Sequence, residues 1–383
     1  MEKIRLGIVG LGHRGRNMFK YAVEAFADRV IPVAACDIFP RNWYEKQWLI
    51  DVPMSELCPD TKFYEDYDKM LEEADLDAVI VETGADIHAE FCAKAIARNI
   101  NVLTDIPVVA NLQEAEDLWK AAKDTTAIIS VGANPNEQKF AVLLKEFYDK
   151  GLLGKPYVME GEYIHWSLPK SDESVHLNEN GDWRRLLIPI RYCTHSLGPL
   201  LAILEEELRT VSCFGTGVHA DDYPPSKFAP RDEMMCAQFQ TDSGVVVRLM
   251  RNGRCRADIG HHNYRVFGTE GYMERIERNE KPVIRYNSMK ELDTKLKEIS
   301  GEFMPPAYAG NEMALKTGHG GMDYALLDHF FHALETGGPA PISLKEGLAM
   351  TLPGIYAEES AKRGGEVLRI RYPWDEDWTT EIK

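Results

Sequence analysis

Residues 4–15 read IRLGIVGLGHRG. The mostly apolar run Ile4–Val9 predicts a buried strand, and Gly10, Gly12 and Gly15 follow it in G-x-G-x-x-G spacing. Beyond them, RNMFKYAVEAFAD carries apolar residues at helical spacing. A glycine triplet alone is a weak signal. One that closes a strand and opens a helix is the entry to a dinucleotide-binding fold. Gly10 allows the tight turn, Gly12 lets a pyrophosphate approach the backbone, and Gly15 lets helix and strand pack closely. The helix N-terminus, with His13 and Arg14 in it, offers unpaired N–H groups to the phosphates.

Working outward, VIPVAACD forms a second strand ending in Asp37, 22 residues past Gly15. An acidic residue at about that distance holds a ribose 2′-hydroxyl and repels a 2′-phosphate, so NAD is expected over NADP. Strand and helix then alternate through DLDAVIVET, DIHAEFCAKAIARN, INVLTDIP, NLQEAEDLWKAAKDT and AIISVGAN, which ends at Asn134. This alternation predicts a parallel sheet with helices on both faces and ligands beyond the carboxyl ends of its strands. Glu82-Thr83, Thr104-Asp105 and Gly132–Asn134 stand at those ends, each readable as a ligand contact or as a plain loop residue.

After the helix FAVLLKEFYDKGLLGKP the grammar changes. YVMEGEYIHW, VSCFGTGVHA, EMMCAQFQTDSGVVVRLMRN and HNYRVFGTEGYMERI read as strands joined by glycine turns, without a helix after each. That predicts an antiparallel sheet. The fold class expected is α/β, with a Rossmann domain over residues 1–134 and an α+β domain over 135–383. The late helices MDYALLDHFFHALETG and SLKEGLAMTLPGIYAEESAKRGG are free to pack back on the first domain.

The totals agree. A chain of 383 residues exceeds one core, at about 150 residues per domain. A net charge of −17 argues against nucleic acid or an anionic membrane as partner. Seven scattered cysteines, odd in number and without C-x-x-C spacing, read as reduced thiols. MEKIRLGIVG enters a strand at once, so a cytoplasmic protein is expected. His261 and His262 lie near Asp258 but lack a third ligand at suitable spacing, so no metal is expected.

RYCTHSLGPLL, residues 191–201, sets Tyr192 and His195 three apart at the head of an apolar run. It reads either as a core helix with two satisfied polar groups or as a chemical centre. Pro199 has no N–H for the carbonyl of residue 195, which predicts a frayed or bent helix there.

Several stretches recur in order along nearly the whole chain: GLGHRG, the H-x-E helix at His88 and Glu90, the strand ending at Pro107, WRR at 183–185, and the His195 helix. By these the sequence resembles the glucose–fructose oxidoreductase, inositol dehydrogenase and MocA (GFO/IDH/MocA) family. The resemblance implies a Rossmann domain followed by a domain with a large open sheet, which commonly pairs subunits into a homo-oligomer. It also implies NAD(P)-dependent oxidation of sugars or polyols, with the histidine helix over the nicotinamide. Two positions depart from the family. Asp105-Ile106-Pro107 replaces Glu-Lys-Pro, and Arg191 stands where an aspartate is usual. Both departures resemble the NAD-dependent glycosidase branch typified by α-N-acetylgalactosaminidases, as do YCTHSLGP, GHGGMD (318–323) and GEYIH (161–165). GANPNEQKF departs from that branch, as does the missing export signal.

On this resemblance His195 accepts a sugar hydroxyl proton, and Tyr192 or Tyr163 is the candidate second base. Candidate cofactor contacts are the glycine turn with His13 and Arg14, then Asp37, Glu82, Thr83, His88, Asp105, Pro107, Asn134, Trp183 and Arg184. His165, Arg185, His319 and Asp323 are the candidate contacts to a small carbohydrate. The last two, at i and i+4, either bind hydroxyls or cap a helix. Three functions fit: redox-neutral glycoside cleavage, plain sugar or polyol dehydrogenation, and non-catalytic sensing of NAD or sugar.

Overall fold

The structure is a computed structural model describing residues 2–46, 50, 52–166, 188–217, 219, 232–255, 261–278, 281–300 and 305–383. It forms two compact units, one of residues 1–137 with 304–348 and the other of residues 138–303 with 349–383.

The first unit holds six parallel strands: β1 (Ile4–Val9), β2 (Val30–Cys36), β3 (Lys62–Tyr64), β4 (Ala78–Val81), β5 (Asn101–Thr104) and β6 (Ile129–Val131). Their spatial order is β3-β2-β1-β4-β5-β6, which reverses at β1 and so places the switch point of a doubly wound sheet there. All four residues of β4 are fully buried, as a parallel strand covered on both faces requires. The helix Met322–Thr336 belongs to this unit. Its Asp328 and Glu335 ion-pair with Arg29, and its Tyr324 and Phe331 rings lie 4.7 and 5.3 Å from Phe26. The division at 137/138 thus differs from the sequence boundary at 134/135, and one late helix serves the first unit through these contacts.

The second unit carries nine strands: β7 (Pro156–Trp166), β8 (Leu208–Gly215), β9 (Met234–Thr241), β10 (Val246–Cys255), β11 (His262–Gly268), β12 (Gly271–Arg278), β13 (Lys281–Ser288), β14 (Lys297–Ser300) and β15 (Leu368–Arg369). They run in the order β14-β13-β12-β11-β7-β10-β9-β8-β15. The central pair β7 and β10 is parallel, and the other pairings are antiparallel. The sheet is therefore large and mainly antiparallel.

The helix Thr194–Leu201 lies on β7 at Gly161, where a Cβ would fall 2.8 Å from the Ser196 carbonyl. The expected fraying at Pro199 does not occur. The His195 carbonyl that Pro199 cannot reach accepts the Tyr264 hydroxyl at 2.6 Å, and the helix continues to Leu201. A buried carbonyl needs some donor, and a side chain on β11 supplies it. The described cysteines are free thiols, and no described helix is long and apolar enough to cross a membrane.

Candidate active site

The glycine turn is built by close approach. Gly10 adopts φ +90°, where a Cβ would also lie 2.5 Å from the Glu82 carbonyl. A Cβ on Gly15 would lie 1.9 Å from the Gly10 carbonyl. Gly12 differs: a Cβ there meets nothing within 4 Å, so the space a pyrophosphate needs is open. The helix His13–Ala25 begins with no acidic side chain in its first turn, which leaves its N-terminus favourable to anions. His13 is exposed beside Asn17. Asp37, at the end of β2, accepts the Leu11 and Phe39 N–H groups at 2.6 and 2.8 Å. A carboxylate has about four acceptor positions, so capacity for a ribose hydroxyl remains. This turn fits a dinucleotide.

Arg14 leaves the turn toward two carboxyl groups. Its Nη1 donates to Asp323 Oδ2 at 2.6 Å, and its Nε lies 3.8 Å from Glu82 Oε1. Asp323 is fully buried, with Asn134 Nδ2 donating to Oδ1 at 3.0 Å and His319 Nδ1 at 2.9 Å from Oδ2. His319, Gly320 and Gly321 have φ of +55°, +63° and +90°. This left-handed run, which favours glycine, folds His319 back over the start of the helix Met322–Thr336. Gly318 is just as constrained, since a Cβ would fall 2.4 Å from Asp323 Oδ2. Asp323, for which the sequence left sugar contact and helix capping both open, is buried and anchors Arg14, as a carboxylate at that depth requires paired donors.

Burial by itself would raise the Asp323 carboxyl, but Arg14 and His319 outweigh it and hold the group well below the usual carboxylate range. The sign of its pH dependence follows. Its stabilisation is whole above the unfolded value of about 3.9 and is lost as pH falls through the depressed folded value. Asp323→Asn is expected to cost about 2 kcal/mol at neutral pH, the scale of hydrogen bonds to charged groups. Urea midpoints of the two proteins should converge once acid has protonated the native carboxylate. A constant gap at every pH would show that the charge contributes nothing.

His88 is fully buried, with its ring nitrogens 2.9 Å from the Pro107 carbonyl and 3.0 Å from that of Thr83. It ties the segment after β4 to the one after β5, where the Ile106–Pro107 peptide is cis. His88, Thr83 and Pro107 thereby shape the strand ends at which Glu82 and Asp105 are buried.

The second unit assembles a ring cluster. Tyr163 on β7 has Arg251 of β10 and His262 of β11 as its register partners. The His262 ring stacks on it at 4.5 Å, and the Arg251 guanidinium sits 4.3 Å from the Tyr163 ring centre and 5.4 Å from that of Tyr192. Tyr192 closes the short turn Pro189–Tyr192, and His195 lies in the first turn of the next helix. They do not share one continuous helix, yet the Tyr192 hydroxyl is 3.5 Å from His195 Nε2. The Tyr163 and His195 rings are 5.1 Å apart. Two residues along β7, His165 stacks on His261 at 4.8 Å. Arg191 pairs with Glu358. The Tyr264 hydroxyl binds the His195 carbonyl, receives Gln138 Nε2 at 3.2 Å and lies 3.3 Å from His262 Nδ1. Burial pushes the Tyr264 phenol up, so it stays a hydroxyl.

Tyr163, Tyr192, His195 and His165 are thus brought into one neighbourhood, whereas His319 and Asp323 belong to the glycine-turn unit. Trp183, Arg184 and Arg185 lie outside the described residues. Sequence reasoning missed Arg251 and Tyr264 and weighed His262 only as a metal ligand. Among the described residues, no three His, Cys, Asp or Glu side chains are grouped to hold a metal ion.

Comparison with known proteins agrees with this geometry. Residues 4–133 match the GFO/IDH/MocA model, described as an oxidoreductase family with an NAD-binding Rossmann fold. A glycosyl hydrolase family 109 protein of Shewanella pealeana is 22% identical, over 94% of this chain and 83% of its own length. Glycosyl hydrolase family 109 protein 1 of Akkermansia muciniphila is 24% identical, over 95% of this chain and 80% of its own. A levoglucosan dehydrogenase in complex with NADH and L-sorbose superposes with a TM-score of 0.78 at 17% identity, over 97% of this chain and all of that one. The myo-inositol 2-dehydrogenase of Lactobacillus plantarum has the same fold, with a TM-score of 0.71 at 16% identity over 97% of this chain and all of its own.

Proposed function

We propose that this chain, whose residues 4–133 match the GFO/IDH/MocA oxidoreductase model, cleaves glycosides by a redox-neutral route that begins with removal of hydride from a sugar ring carbon. The observation that carries the reading is the convergence of His195, Tyr192, Tyr163 and Arg251 in the second unit. NAD, when bound, accepts the hydride and returns it at the end of the cycle.

The protein's own groups do the rest. His195 takes the proton of the hydroxyl whose carbon is oxidised, the general-base task that histidine most often performs. The ketone formed at carbon 3 acidifies the hydrogen on carbon 2. Tyr163 or Tyr192 removes that hydrogen as a proton, the group on carbon 1 leaves with the bonding electrons, and water adds across the resulting double bond, placing a hydroxyl on carbon 1 and a proton on carbon 2. A phenol serves as a base only when its anion is favoured, and Arg251 places positive charge over both rings. His165 and His261 offer ring edges and nitrogens to the hydroxyls of a small carbohydrate. Free thiols and a net charge of −17 support a cytoplasmic enzyme without nucleic acid or membrane as partner. The family resemblance supports a homo-oligomer.

The test is a panel of aryl glycosides with the purified holoenzyme. The expected result is release of the aryl group with no net NADH and, in D₂O, deuterium at carbon 2 of the freed sugar. Stoichiometric NADH from a free sugar, with no glycoside cleaved, makes the protein a dehydrogenase. Cleavage without deuterium uptake removes the elimination route.

A further inference from the structure

Glu82 and Asp105 end β4 and β5, and the reaction proposed above uses neither. The Glu82 side chain is only 3% exposed, and its Oε2 receives no N–H or O–H donor. Glu82 and Asp105 directly follow the register pair Val81–Thr104 of β4 and β5, so the neighbour of this oxygen is another carboxyl, that of buried Asp105. Two like charges buried side by side disfavour ionisation of both. The charged groups facing Glu82 come from three elements: Asp105 after β5, Arg14 at the start of the helix His13–Ala25, and Asp323 in the first turn of the helix Met322–Thr336. His319 adjoins Asp323, and His88 faces the Thr83 and Pro107 carbonyls beside the pair. Arg14 is already engaged by Asp323. Burial first, and then Asp105, holds the Glu82 carboxyl well above its ordinary range, with Arg14 opposing.

The location supplies the second argument. The glycine turn rests on Glu82, whose carbonyl blocks a Cβ on Gly10 and whose own Cβ would sit 3.0 Å from one on Gly15. A doubly wound sheet binds the two halves of a dinucleotide on either side of its switch point. Asp37 on β2 marks the adenosine half, so β4 and β5 belong to the nicotinamide half. Glu82 Oε2 is thus an unpartnered buried oxygen on the side that receives the ring whose charge changes.

We infer that Glu82 and Asp105 share one proton, release it when the cationic nicotinamide of NAD⁺ binds, and keep it for the neutral ring of NADH. A cation near two carboxyls favours ionisation of both, and a neutral ring does not. The balance is one proton passed to solvent per NAD⁺ bound and none per NADH. The inference rests on the dinucleotide reading alone and is independent of what is done to a sugar.

Calorimetric titration of cofactor-stripped protein with NAD⁺ and with NADH tests it, at several pH values and in two buffers of different ionisation enthalpy. NAD⁺ affinity should rise by up to about tenfold per pH unit while the free protein still holds the proton, and NADH affinity should stay flat. The buffer comparison should show up to one proton released with NAD⁺ only. Glu82→Gln keeps a hydrogen bond to Asp105 without an ionisable proton, and should flatten the NAD⁺ curve and abolish the release. Asp105→Asn repeats the test if the first variant does not fold. Equal pH dependence for the two cofactors, or release that persists in the variants, overturns the inference. Failure to bind either dinucleotide overturns the cofactor reading with it, whereas a negative glycoside assay leaves the inference standing.

Discussion

Gly12→Val is expected to cripple dinucleotide binding and to leave the fold standing. Gly12 has ordinary extended backbone angles, φ −61° and ψ −173°, which a β-branched residue adopts readily. Nothing lies within 4 Å of the position its Cβ would take, so the folded protein has no group to clash with the new methyls. They fill the space a pyrophosphate would occupy. An affinity loss of at least about 100-fold, close to 3 kcal/mol, is expected from NADH fluorescence titration. The melting temperature should move little. Gly15→Ala gives the opposite pattern, because its methyl would sit 1.9 Å from the Gly10 carbonyl. Overpacking at a site this tight costs about 1–3 kcal/mol. Wild-type NADH affinity in Gly12→Val would mean that the open space over the turn is not the phosphate site.

That contrast was readable from one line of sequence, because strand, turn and helix are contiguous and each glycine has a local reason. The place of Asp37 just after β2 was readable for the same cause: the distance from turn to second strand end is set by one helix and one strand. The alternation up to Asn134 carried the parallel sheet. What escaped depends on pairing between distant segments. Arg251 lies against Tyr163 because β10 runs parallel beside β7, a register between residues 88 apart in sequence. β14 and β15 span only 4 and 2 residues, and their strand character comes from their neighbours in the sheet. For Asp323 the sugar and cap readings stayed open because i,i+4 spacing shows which residues share a helix face but not what that face covers. Arg14, 309 residues away, covers it. The same ambiguity explains Pro199, whose missing hydrogen bond was legible and whose replacement by the Tyr264 hydroxyl was not.

His195→Ala should lower kcat by about 10²–10⁴-fold, the ordinary worth of a positioned general base. The structure allows this loss to be separated from misfolding. The His195 atom that binds Tyr264 is the backbone carbonyl, so truncating the ring leaves that anchor intact. Alanine is also a good helix residue. NADH affinity and far-ultraviolet circular dichroism should therefore match wild type while turnover collapses. Tyr264→Phe is the complementary case. It keeps the imidazole but withdraws the hydroxyl from the carbonyl that Pro199 leaves without a backbone donor, at about 1 kcal/mol per lost neutral hydrogen bond. If Tyr264 acts only by orienting the helix Thr194–Leu201, its loss should cost about tenfold or less in kcat and leave the shape of the pH–rate profile unchanged. His195→Ala should instead erase the limb of that profile which reports the base. If His195→Ala turned over within a few-fold of wild type, proton removal would have to pass to Tyr163 or Tyr192, and Arg251, over both rings, would then be the residue to change next.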